Sequence, residues 1–163
     1  MSLDAAYIDD TTRHIQLVRH FLERATDALT ERGRLHDASK FDEPERSLFR
    51  DNMAKRDSVP FGTPAYREHL KRVKPALDHH YAVNRHHPEH HTSGISDMSL
   101  VDLLEMVCDW MSAAMKTHDG DVACVHRSIE ANQERFGYSD EIRGILHHTV
   151  TALMVTSEGE RVR

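Results

Sequence analysis

Apolar residues recur along this chain at spacings of three and four, the signature of helices. In the first segment Ile15, Val18, Leu22, Ala25 and Leu29 form one apolar stripe. A second helical stretch is predicted to run into "RGRLHDASKF". Pro44 suits the first turn of a new helix over about 45–54. "RDSVPFGTP" (56–64), with two prolines and a glycine, predicts a loop. Helical spacing resumes near Ala65 and runs towards Tyr81. Pro88 and Gly94 then interrupt it, and Ser96 or Ser99 is placed to cap the next helix. That helix carries Leu100, Leu103, Leu104, Val107, Met111, Ala114 and Met115. Two more follow at about 121–135 and 139–156, parted by Gly137. No stretch alternates as a strand would. The expectation is an all-α domain of six or seven helices, one domain over 1–163, with a frayed tail at 157–163.

Composition narrows the picture. With 163 residues, 39% hydrophobic and 29% charged, the chain is long enough for a real core. A net charge of −6 argues against a sequence-independent grip on a nucleic-acid duplex. No apolar run approaches the roughly 20 residues of a membrane span, and no signal-like start is visible, so a cytoplasmic protein is expected. Cys108 and Cys124 lie in apolar helical contexts and read as reduced, buried thiols.

The stretch that composition does not explain is "HHYAVNRHHPEHH" (79–91). It holds six of the chain's 14 histidines. "HDASK" adds a nitrogen and an oxygen donor in sequence, His36 and Asp37, with Lys40 one helical turn on. Alone, such a pair is more often a solvated feature of a helix surface than a metal site. Asp109 is more telling, since it sits among Cys108, Trp110 and Met111, where a charge is expensive unless paired or bound to metal. Glu105, one turn earlier, suits an ion pair with an Arg or His. His14 lies on the apolar side of the first helix, where a lone histidine is usually a core residue, while His20 reads as surface. His14 and His36 are 22 residues apart, about 33 Å along a single helix. They can share an ion only if the chain reverses between them, and "ERATDALTERG" leaves room for that.

The order His14, His36-Asp37, a His-rich stretch and Asp109 resembles that of HD-domain metal-dependent phosphohydrolases. "HDASK" is similar to the form found in the branch with extra histidines. More narrowly, "HxxxV", "HDASKF", "HxxxNxHHPEH" and "EMVCDW" over about residues 10–120 look like a small bacterial and phage family. The resemblance implies an HD-like helical bundle in which His14, His36, Asp37 and Asp109 hold one metal. It also implies a second metal on His80 and His87, or His86, although the spacing there is shorter than in many two-metal members. His79, His90 and His91 would then support the site or face solvent. The ions implied are one or two divalent metals among Mn, Co, Fe, Zn and Mg.

The expected activity is release of phosphate from a small phosphorylated substrate such as a nucleotide. The metal would make a bound water acidic enough to attack at neutral pH. Lys40 would neutralise phosphoryl oxygens. Glu43, Glu45 or an unligated histidine would serve as acid or base, and the sequence does not choose among them. Asn84, Arg85 and His86 would meet substrate. A mixed His/Asp two-iron site would suit an oxygenase instead. A non-enzymatic metal-binding module ranks third, because structural zinc sites are usually cysteine-rich. A second copy of the chain remains open as a partner.

Overall fold

The computed structural model describes residues 2–56, 63–117 and 121–154. The protein is all-α: among these residues lie six α-helices and three short 3₁₀ turns, and no strand. The loop expected at 56–64 and the tail expected at 157–163 fall mostly or wholly outside them. Backbone contacts separate two units, Met1–His36 and Asp37–Arg163.

The first unit is one helix, α1 (Leu3–Leu35), capped by Ser2, whose hydroxyl accepts from Ala5 N. This corrects two expectations. The chain does not reverse at "ERATDALTERG", because that segment is rich in good helix formers and Gly33 is too close to the end to break it. His14 and His36 therefore lie about 33 Å apart and cannot hold one ion within a chain. The stripe of Ile15, Val18 and Leu22 is also exposed, and no residue of α1 is buried. A lone helix has nothing of its own to bury a stripe against.

In the second unit, α2 (Glu45–Arg56) follows Pro44 and packs on α3 (Pro64–Val83). Thr63 caps α3 by accepting from Tyr66 N at 3.1 Å, and Pro64 occupies its first turn. The 3₁₀ turns at Pro88–His90 and Gly94–Asp97 carry the chain to α4 (Leu100–Thr117). Ser99, rather than Ser96, starts that helix. Its hydroxyl accepts from Asp102 N at 3.2 Å, and Asp102 Oδ2 accepts from Ser99 N at 3.0 Å, a reciprocal capping box.

Helix α4 packs on α5 (Val122–Phe136), and α5 on α6 (Asp140–Met154). Leu103, Met106, Val107, Met111 and Ala114 form the buried stripe of α4, against Val125 and Ile129 of α5 and Leu146 and Val150 of α6. Each fully buried aliphatic side chain there contributes roughly 1.5–3 kcal/mol. Gly137 ends α5 at φ 66°, a left-handed turn that glycine takes without strain, and its N–H donates to Gln133 O. Both cysteines are free, but only Cys124 is buried; Cys108 is exposed, because position 108 lies off the 103–106–107–111–114 stripe.

Candidate metal centre

Asp37 follows the end of α1 and takes a left-handed backbone (φ 56°, ψ 15°) that aspartate tolerates better than most residues. This starts a 3₁₀ turn, Ala38–Phe41, closed by Lys40 N donating to Asp37 O at 2.9 Å. The same turn brings Lys40 Nζ to 2.5 Å from Asp37 Oδ2. Asn84, the residue capping the end of α3, donates from Nδ2 to Ser39 Oγ at 2.8 Å and to His80 O at 2.9 Å. Asn84 thus ties the Asp37 turn to the last turn of α3.

The other oxygen of Asp37 faces histidines. Its Oδ1 lies 3.2 Å from His80 Nε2 and 3.6 Å from His86 Nε2. His87 Nε2 lies 2.9 Å from His80 Nε2. Asp37, His80, His86 and His87 each offer one donor atom, all within 4.8 Å of one another. Asp37 and Asp109 likewise offer oxygens within 4.8 Å. His80 and His86 are buried, at 3% and 2% exposed, so their directions are fixed by packing.

The far nitrogens of the two buried rings are held by carboxylates. Glu45, fully buried in the first turn of α2, places Oε2 2.8 Å from His80 Nδ1 and Oε1 2.7 Å from His79 Nδ1. Glu105 on α4 places Oε1 3.2 Å from His86 Nδ1. A carboxylate at Nδ1 holds the proton there and leaves the Nε2 lone pair for a ligand bond. Burial pushes the Glu45 carboxyl towards higher pKa, but hydrogen bonds from His79, Ser39 and His80 outweigh it and hold it below the usual value. Burial lowers His87 to about 3, helped by His86 and His80 and opposed by Asp109 and Asp37. His87 is therefore a neutral imidazole at pH 7, the form that binds metal.

These separations fit an ion. Donors about 2.1 Å from a common centre lie roughly 3.0–3.4 Å from each other in octahedral or tetrahedral geometry. The observed 2.9, 3.2 and 3.6 Å bracket that range.

His36 caps the end of α1, directly before Asp37. Other expected site residues have other places: His14 is exposed on α1. Glu43 is exposed, and its carboxylate accepts from Ser47 Oγ at 2.5 Å; Glu45, two residues on, is the carboxylate built into the cluster. Arg85 is engaged by Asp102, with Nε at 3.2 Å from Oδ1 and Nη2 at 3.1 Å from Oδ2. Burial raises the Asp102 carboxyl, but the bonds from Arg85 and Ser99 prevail and hold it at about 2. His90 and His91 bond to Tyr81 O and Arg85 O and so brace the loop. His86 joins His80 and His87 in the cluster, so the choice between His86 and His87 does not arise. The support from Glu45 was the feature hardest to read from sequence. Its one signal was an acidic residue straight after a helix-starting proline.

An all-α scaffold carrying a buried histidine–carboxylate cluster is the class of protein that fold and site define. The chain belongs to the family of unknown function DUF5662, whose pattern matches residues 3–156. Comparison with curated proteins and with solved structures gives no match. Among the described residues no helix is long and apolar enough to cross a membrane.

Proposed function

We propose that this protein is a metal-dependent phosphohydrolase acting on a small phosphorylated substrate, with Asp37, His80, His86 and His87 holding a divalent ion and Asp109 beside them. One observation carries the reading. Two buried imidazoles, each backed by a carboxylate, converge on a single oxygen of Asp37. A core that needed only satisfied histidines has no use for that convergence, whereas a metal site requires it. The order of Asp37, the histidines and Asp109 along the chain agrees with the HD-domain resemblance.

Bound there, a divalent ion supplies Lewis acidity for the phosphoryl group and acidifies an attacking water. The chain's own residues do the rest. Asp37 divides its oxygens, Oδ1 towards the imidazoles and Oδ2 towards Lys40. Lys40, 44% exposed at its side chain, is close enough to exchange Asp37 for a phosphoryl oxygen and to neutralise charge as the ester breaks. Asn84 keeps the Asp37 turn against α3, so the acceptor set does not have to reorganise during reaction.

The test is a screen of phosphorylated metabolites with Mn²⁺, Co²⁺ and Mg²⁺, run beside Asp37→Ala. Metal-dependent phosphate release abolished by that substitution is the expected result. Release that survives it unchanged sinks the reading.

A further inference from the structure

A groove of about 590 Å³ runs between α2 and α3 and reaches the histidine cluster at one end, where Lys40, His80 and His87 line it. Its size is that of a site for a small organic molecule. Along α3 the lining residues Tyr66, His69, Leu70, Val73 and Leu77 recur at helical spacing, so one face of the helix forms the wall. Phe49 of α2 stands among the opposing residues. The α3 wall is thus mainly aromatic and aliphatic and suits a ring system, while the α2 side adds Arg46, Arg50 and Asn52 beside Phe49 and Met53.

His69 breaks that apolar run. It is 5% exposed, yet its Nδ1 is buried with no hydrogen-bond partner among the described residues. Buried polar atoms are almost always satisfied, so an exception on a groove wall calls for a partner that arrives from elsewhere. His69 precedes His80 by eleven residues on the same helix, about 16 Å along its axis. The groove therefore has one end at the histidine cluster and a distant end where the buried, unsatisfied His69 Nδ1 lies, joined by a mainly apolar face of α3.

We infer that the α2–α3 groove binds the organic part of the substrate, a phosphoester with an aromatic or otherwise apolar body whose far polar group is read by His69. The inference rests on the phosphohydrolase reading for which end takes the phosphate. It does not rest on that reading for the groove itself. In this arrangement His69 is a specificity residue and takes no part in bond breaking.

Non-hydrolysable probes separate the two. The full chain is titrated calorimetrically with phenylphosphonate, biphenyl-4-ylphosphonate and 4′-hydroxybiphenyl-4-ylphosphonate, each with Mn²⁺ and with EDTA. A site built to bond a hydroxyl rejects the analogue that lacks it, so the hydroxylated biphenyl should bind at least about 10-fold tighter than its parent. His69→Phe should bring the two together, and His69→Asn, which keeps a polar atom near the Nδ1 position, should restore the preference. Phenylphosphonate, too short to fill the channel, should bind more weakly than either. Equal binding of the two biphenyls to the wild-type protein overturns the role of His69, whether or not the variants fold. Equal binding of phenyl and biphenyl probes overturns the groove. A hydroxyl preference that persists while Mn²⁺ has no effect on any probe upholds the groove and removes the metal-dependent reading of the centre.

Discussion

Glu45 Oε2 lies 2.8 Å from His80 Nδ1, and neither residue is more than 3% exposed. This contact joins the start of α2 to the end of α3 and aims His80 Nε2 at Asp37. It makes Glu45 a positioning residue, and the consequence is measurable. Loss of a carboxylate behind a ligating histidine typically weakens metal affinity about 10–100-fold. Glu45→Gln, which keeps the shape but not the charge, should do so for Mn²⁺ or Zn²⁺ in a calorimetric titration. Unchanged affinity with an unchanged melting temperature would remove Glu45 from the site.

His87 carries a consequence for pH. Its folded pKa is about 3, against an ordinary 6.5. Between those values the unfolded chain takes up a proton that the folded protein refuses, so stability falls as pH drops from 6.5 towards 3. Asp102, at about 2 against 3.8, adds a loss below pH 3.8 for the same reason. Urea midpoints of metal-free protein should decline steadily between pH 7 and 4. In His87→Gln the decline above pH 4 should be shallower. An identical slope in both proteins contradicts the assignment.

Arg85 was expected at the substrate, and the structure gives it to Asp102. Because Asp102 is 1% exposed, removing its guanidinium partner leaves a buried carboxylate short of donors. Such a loss costs roughly 1–3 kcal/mol. Arg85→Ala should lower the unfolding free energy by that amount while leaving the affinity for Mn²⁺ within about 2-fold of the wild type. A variant with normal stability and poor phosphate-ester binding would restore the original expectation.

Tyr138 tests the helical core away from the site. It is buried, and its hydroxyl donates to Ile129 O. Burial, with Glu130 nearby, pushes its pKa up to about 12, so it stays protonated over the working range. Tyr138→Phe should destabilise by about 0.5–1.5 kcal/mol, with no pH dependence between 6 and 9. Thermal melts at several pH values would show either effect.

Much of this was legible in the chain. The all-α class, the starts of α2, α3 and α4, and the break at Gly137 follow from local rules: period, proline, caps and glycine. Asp109 stood out because a charge in an apolar helix is costly without a partner, whereas Asp37, His80, His86 and His87 were picked out by the crowding of histidines and the HD-domain resemblance. Local rules fail where the partner is distant. Glu45 was legible only as a candidate acid or base, and only the crossing of α2 and α3 places it between His79 and His80. Arg85 looked like a phosphate ligand until Asp102, seventeen residues away, was found beneath it. His14 looked reachable because nothing in "ERATDALTERG" forbids a turn, yet each residue there gains more from continuing the helix. The sequence by itself determined which segments are helical and which residues need partners, because both depend on neighbours within a turn or two. Only the tertiary structure decided which partners they have, since hydrogen bonds and ion pairs depend on distances of a few ångströms that helix packing sets.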